Sequence, residues 1–449
     1  MVFWPGVQLA KAEERLFASG AAWWRRFKAA HAPGTAAAKE APATQIEFLD
    51  VVDGQGRAIH TVTFSGKKQE GTPLVLTHGY ASGSGIYYAA AAPIAEQWPG
   101  PVYIIDNPGC GLSDRPAWAK VSAESCAVEE AEDFYVDRLE GWRAAMGIDR
   151  MVLCGHSLGG YMAVAYAERH AARVERLVLV SPVGVPKATP MSKEKLDALP
   201  VAFKVLRRLW AGGWSPFTVV RWGPGHWLVR PLGLDPPTSE SSHPLAALLG
   251  HARSLTLASS DASSLSPPQM SGYVNRRMGE GSWRDAEALT DYFYANLTHG
   301  EESWGGCAHA TLLEPGAYAR APLCERIPKL DFSCGLRLSF IYGGSHDWMS
   351  ARSATELQRS MASGPAGRRG RVPIQVATVA YAGHNLMVDN PVGFTEALMA
   401  SGRVAAAGAD DGFDGRSFGE EVWLYDRAQQ QRLSQSDEAG ELVAGAATK

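Results

Sequence analysis

The pentapeptide Gly155-His156-Ser157-Leu158-Gly159 constrains the fold of this chain more than any other stretch. The apolar run 150–154 leads into it and the helix-compatible run 160–168 leads out, so the pattern predicts a strand, a sharp turn and a helix. A serine hydroxyl is a weak nucleophile at neutral pH. Such a turn lifts its oxygen clear of the sheet, while the helix below points backbone N–H groups at the same place. Gly155 and Gly159 remove the Cβ atoms that would clash where strand and helix come closest. Alone, the five residues also fit an ordinary glycine-rich turn. The flanking strand and helix select a nucleophile elbow, and with it acyl transfer through serine.

An elbow needs a sheet. Apolar runs at 73–77, 102–105, 151–154, 177–180, 336–342 and 374–381 alternate with helical stretches, the pattern of an α/β fold with a mostly parallel sheet flanked by helices. Residues 45–53 and 58–65 read as two further strands joined by the turn Asp53-Gly54-Gln55-Gly56. From 182 to about 335 the alternation lapses into a run rich in Trp, Pro and Ser, which reads as a cap inserted over the site. The expected organisation is an N-terminal Trp-rich segment and linker (1–44), a first core part (45–184), a cap (185–335), a second core part (336–403) and a largely disordered tail (404–449) with a structured patch near 422–425. The cap segments 201–210 and 217–230 mix aromatics with Arg and Lys, and fit packing within the cap or a lipid-facing surface. The basic, Gly-rich segment 363–371 reads as a solvated connector.

With 449 residues, 46% of them apolar, the chain can bury a large core, and a net charge of −4 without a basic stripe argues against a nucleic-acid partner. The six cysteines (Cys110, Cys126, Cys154, Cys307, Cys324, Cys334) show neither a disulfide framework nor zinc-ligand spacing, so the expected setting is intracellular and reducing, with no metal. No uninterrupted apolar run reaches the roughly 18 residues of a membrane span.

A helix lying on a lipid surface remains open. Leu9, Ala12, Leu16, Trp23, Trp24 and Phe27 recur at helical spacing among Lys11, Arg15, Arg25, Arg26 and Lys28, with Phe3 and Trp4 ahead of them. Trp4, Trp23, Trp24 and Phe27 are the expected membrane-interface residues on that reading. The same periodicity fits a helix packed on the protein's own surface, or a transit peptide, against which Glu13 and Glu14 speak.

A nucleophilic serine also needs a base and an acid to orient it, which in this fold follow in the order serine, carboxylate, histidine. Asp347 lies just past the 336–342 strand and His384 just past the 374–381 strand, where strand ends would present both beside Ser157. His78-Gly79-Tyr80, after the 73–77 strand, matches the place of an oxyanion loop, so the N–H groups of Tyr80 and Leu158 are the expected oxyanion donors. The run from Asp106 to Asp114 reads as a structural turn. Asp389 follows His384 by a spacing that acyltransferases use, and Asp389-Asn390-Pro391 equally reads as a helix start with Asn390 as N-cap and Pro391 at the first position.

Five segments together resemble the alpha/beta-hydrolase-domain four/five subfamily of the α/β hydrolases: Thr77-His-Gly-Tyr80, the run from Asp106 to Arg115, Gly155-His-Ser-Leu-Gly-Gly-Tyr161, Tyr342-Gly-Gly-Ser-His-Asp-Trp-Met349, and His384 with Asp389. The likeness spans 73–182 and 336–392, and the Tyr342 to Met349 segment is its most branch-specific part. That subfamily includes N-acylphosphatidylethanolamine lipases, a cardiolipin-specific deacylase of mitochondria, and a lipid-droplet lipase coactivator with reported lysophosphatidate acyltransferase activity. The Trp-rich N-terminus looks like that of the coactivator, which lacks the serine that this chain keeps. A long cap and a tail without counterpart depart from the pattern.

The resemblance implies a serine lipid acyl hydrolase of phospholipase or lysophospholipase type, with a phospholipid or lysophospholipid as substrate. The alternatives are a lysophosphatidate acyltransferase using the same site with an acyl-CoA donor, and a regulatory protein on lipid surfaces. A peripheral membrane, a lipid droplet or the mitochondrion are the locations it allows. No cofactor is implied.

Overall fold

A computed structural model describes residues 8–31, 45–65, 70–116, 128–188, 286–299, 311–314, 318–345, 347–363, 374–401 and 415–419. Trp4, the segments 201–210 and 217–230, most of the 363–371 connector and the 422–425 patch lie outside them.

Helix α1 (Leu9–His31) precedes a hairpin of β1 (Gln45–Val52) and β2 (Ala58–Ser65), then β3 (Leu74–Thr77), α2 (Tyr88–Gln97), β4 (Val102–Ile105), α3 (Val128–Ala145), β5 (Met151–His156), α4 (Leu158–His170) and β6 (Val174–Val180). After the interruption come α5 (Ala286–Thr298), a short ladder of β7 (Leu313–Glu314) with β8 (Tyr318–Ala319), and α6 (Leu323–Arg326). The chain then returns to the sheet with β9 (Arg337–Gly343), α7 (Ala351–Ser363), β10 (Ile374–Val379), α8 (Leu386–Asp389), α9 (Pro391–Ala400) and β11 (Ser417–Phe418).

Among the described residues the sheet runs β1-β2-β4-β3-β5-β6-β9-β10-β11. The β1–β2 and β2–β4 pairs are antiparallel and all the others parallel. Alternation along the strands divides the core in two. Leu76, Cys154, Val178 and Ile341 face one layer, while Val75, Leu153, Leu177 and Phe340 face the other. Helices α3, α4 and α7 cover the second layer, and α1, α2, α5 and α9 cover the first. Because both faces are buried, the central strands read as continuous apolar runs in the sequence.

Within the tail, Ser417 and Phe418 pair with Thr378 and Val379 and form the edge strand among the described residues, with Phe418 in the core. One expectation changes. The membrane-interface role expected of Trp23 and Trp24 does not fit their surroundings. They are 5% and 7% exposed and pack with Phe27 against Ala92 and Val392. The three rings lie 5.4 to 6.0 Å apart. Half-buried Phe27 belongs to the same cluster, so the apolar stripe of α1 is used on the protein's own core. No helix among the described residues is long and apolar enough to cross a membrane.

A buried polar clasp joins α1 to the sheet. Glu13, 1% exposed, meets His60 Nε2 through Oε2 at 2.7 Å, and Asp50 meets His60 Nδ1 at 3.1 Å. With a carboxylate at each ring nitrogen, both nitrogens donate and the imidazole is a cation. The Ser84 hydroxyl donates to the other Glu13 oxygen, and the Ser84 N–H donates to Asp106 at 2.7 Å. Glu13, His60 and Asp106 are the one group among the described residues close enough to suggest a metal, and direct hydrogen bonds already occupy their donor atoms.

Candidate active site

Ser157 sits between β5 and α4 with φ 55° and ψ −117°, a conformation that costs a non-glycine residue about 1–3 kcal/mol. Its backbone is held on both sides. The N–H donates to Val180 at 2.9 Å, and the carbonyl accepts from Gly160 at 3.0 Å and Val183 at 3.3 Å. The two elbow glycines are required sterically. A Cβ at Gly155 would lie 2.4 Å from the Gly159 carbonyl, and one at Gly159 would lie 2.5 Å from the His78 carbonyl. The serine is thus placed by neighbours that leave it no other backbone course.

The 78–80 loop crosses directly over this turn, since a Cβ at Gly79 would stand 2.9 Å from Ser157 Cβ. His78 is a brace of that loop. Its Nε2 accepts from Asn107 N–H at 2.9 Å, so Nδ1 carries the proton and donates to the Gly79 carbonyl at 2.8 Å. Burial depresses its basicity and keeps it neutral. The Asn107 side chain donates to the His78 carbonyl at 2.7 Å and accepts from Tyr135 at 3.1 Å. The run from Asp106, read from sequence as a structural turn, braces the 78–80 loop through Asn107. Tyr80 directly follows Gly79 in this loop, and Leu158 is the first residue of α4.

Asp347 and His384 meet as their strand-end positions predict, with Nδ1 3.1 Å from Asp347 Oδ1. Met349 N–H reaches the same oxygen at 2.9 Å; Gly343 N–H reaches Oδ2 at 3.0 Å, and the Ser181 hydroxyl also donates to Oδ2. Burial alone would favour the neutral acid. The hydrogen bond and charge of His384, together with Ser181 and Gly343, outweigh it and hold Asp347 below the usual carboxylate range.

His156, the residue before Ser157, donates from Nε2 to the His384 carbonyl at 2.9 Å, and the two rings lie 4.8 Å apart. Burial, then the neighbouring His384, push its pKa down to about 3. A neutral side chain of the elbow therefore anchors the His384 loop. Trp348, 42% exposed, places its ring 4.4 Å from that of His384. Sequence reasoning missed His156, Asn107, Ser181 and Trp348. The first lay inside the quoted motif, where its hydrophilic ring beside a buried strand end was the available signal.

Asn390 caps α9 as expected, accepting from Gly393 N–H at 3.0 Å, with Pro391 at the first helical position. The Asp389 carboxylate reaches a loop amide: its Oδ2 accepts from Gly383 N–H at 2.8 Å.

Residues 72–212 match the family model described as alpha/beta hydrolase fold. The chain is 29% identical over 371 residues to a 1-acylglycerol-3-phosphate O-acyltransferase of Arabidopsis thaliana, covering 80% of this chain and 72% of that protein. It is 26% identical over 342 residues to the human 1-acylglycerol-3-phosphate O-acyltransferase ABHD5, covering 76% and 80%. A shorter stretch of 171 residues is 36% identical to the human (lyso)-N-acylphosphatidylethanolamine lipase, covering 37% and 47%. Strand order, elbow and these matches agree on an α/β-hydrolase fold for this chain.

Proposed function

We propose that this protein is a serine acyl hydrolase of lipids, with a phospholipid or lysophospholipid as its substrate. The observation that carries the reading is the strained backbone of Ser157 beneath the 78–80 loop, with the His384–Asp347 pair anchored to the same elbow through His156. Strain of this kind persists only where the surroundings enforce it. In the proposed reaction His384 Nε2 takes the Ser157 proton as Oγ attacks the ester carbonyl carbon. Asp347 holds the Nδ1 proton and so fixes the tautomer that leaves Nε2 free to accept. The N–H groups of Tyr80 and Leu158 receive the oxyanion. Its collapse expels the alcohol with the proton from His384, and water then releases the acid from the acyl-enzyme.

The names of the relatives support a lipid substrate, and those spanning most of the chain favour one further reading, in which a lysophosphatidate hydroxyl takes the acyl group in place of water. No change in the site is needed for that. The third reading, regulation on a lipid surface without catalysis, keeps its biological effect after Ser157→Ala.

The test is labelling by a fluorophosphonate probe, followed by assays on lysophospholipid and on lysophosphatidate with labelled acyl-CoA. Wild type is expected to be labelled at Ser157, and Ser157→Ala to lose labelling and turnover by several orders of magnitude while keeping its fold. Full labelling of the variant would mean another nucleophile. Predominant transfer by wild type would make the acceptor a lysolipid.

A further inference from the structure

We propose that Asp389 is a positioning residue that fixes the loop bearing His384 and takes no direct part in acyl transfer, an inference that rests on His384 being the general base. Its spacing from His384 is a product of the local turn. Val388 N–H and Asp389 N–H both donate to the Asn385 carbonyl at 2.9 Å, and this reversal carries Asp389 back beneath Gly383. There its Oδ2 accepts the Gly383 N–H at 2.8 Å. On the other side of the histidine, the His384 carbonyl accepts from His156 at 2.9 Å. The chain is therefore held on both sides of the His384 side chain, by a carboxylate at the Gly383 N–H one peptide upstream and by an imidazole at the carbonyl of His384 itself.

The loop needs such a grip. Tyr381 begins it at φ 55°, a conformation that a bulky residue adopts only when its surroundings impose it. The helix start does not account for the carboxylate, because Asn390 performs that work through Gly393 and also donates to the Ala380 carbonyl at 2.9 Å. A carboxylate accepting a backbone N–H makes a charge-assisted bond, stronger than a neutral pair. Misplacing a base by about 1 Å can cost around a hundredfold in rate. The sequence reading that gave Asp389 an acyltransferase role needs that carboxylate to reach substrate. Here Oδ2 is directed at a loop amide.

Comparing Asp389→Asn with Asp389→Ala decides the matter, because the Asn carbonyl oxygen can still accept from Gly383 while carrying no charge. Expected for Asp389→Ala is a kcat about 10- to 100-fold lower with little change in KM, by the same factor for hydrolysis and for transfer. The rate constant of fluorophosphonate labelling should fall in parallel, and deuterium exchange in the 380–386 peptide should accelerate. Asp389→Asn is expected within about threefold of wild type in all of these. Partial unfolding would lower the labelled fraction and leave the rate constant of the folded fraction alone. If the Ala variant does not fold, the Asn variant decides by itself: retained kcat supports the acceptor role and loss overturns it. The proposal is also overturned if transfer is lost while hydrolysis is spared, or if the Ala variant turns over and exchanges like wild type. Wild type that Ser157 labelling fails to mark would instead remove the base assignment on which the proposal stands.

Discussion

Ser181 leaves β6 with a φ of 42°, fully buried, and from that position its hydroxyl reaches Asp347. Hydrogen bonds to charged groups contribute about 1.5–3 kcal/mol. Ser181→Ala is accordingly expected to lower kcat/KM by roughly ten- to a hundredfold while the Gly343 bond keeps the carboxylate in place, a change that steady-state kinetics with near-native circular dichroism would register. Asp347→Asn should be far worse, by about ten-thousandfold, because an amide no longer favours the tautomer that leaves His384 Nε2 free; a variant within tenfold of wild type would refute the orienting role. That Ser157, Asp347 and His384 each follow a strand was legible in the sequence, because buried strands show as apolar runs and the turns after them can be counted. The roles of Ser181, His156 and Asn107 were not. Their partners are 166, 228 and 29 residues away, and only the strand order brings them together.

At the scale of elements, the strands were legible to within a few residues because buried parallel strands announce themselves as apolar runs. The edge strand β11 was not, since its 2 residues carry no pattern and owe their conformation to pairing with β10. Helix α1 was legible as a helix, and its destination was not. An apolar stripe that covers a sheet and one that covers lipid have the same period. Glu13 was the discriminating residue: an acid inside the stripe needs a partner such as His60, which a hydrocarbon surface cannot offer. Gly20 carries a matching prediction. Alanine in a helix interior usually gains about 1 kcal/mol over glycine, but here its Cβ would stand 2.0 Å from the Tyr88 carbonyl, where α1 crosses α2. Gly20→Ala is expected to destabilise the protein by about 1–3 kcal/mol, read as a lowered Tm, and a raised Tm would show that α1 sits elsewhere.

For the whole molecule, α1 is a structural layer. Leu9, Leu16 and Phe17 belong to the main core, and Arg15 pairs with Asp291 of α5 at 3.1 Å. Deleting residues 1–31 is therefore expected to abolish cooperative unfolding and hydrolysis of a short soluble ester together. A folded, active truncation would return the segment to a lipid-binding role. The clasp adds a pH dependence. Burial by itself would lower the His60 pKa, but Glu13, Asp106 and Asp50 outweigh it and raise it from 6.5 to about 9. A raised folded-state value means that the stability from His60 is complete below pH 6.5 and is lost as pH climbs through about 9. The Tm difference between wild type and His60→Gln should thus shrink across that window, and a difference that grew with pH would contradict the clasp.

The bed on which Trp23 and Trp24 lie includes Val392, in the first turn of α9. Ala92 is made soon after α1, but the Val392 side of this bed arrives only with α9. At ordinary synthesis speeds the indole pair waits on the order of tens of seconds for that last neighbour. Biosynthetic yield should then depend on chaperones that shelter the nascent N-terminus, and a polar substitution at Val392 should cost soluble protein by leaving those rings without their final neighbour.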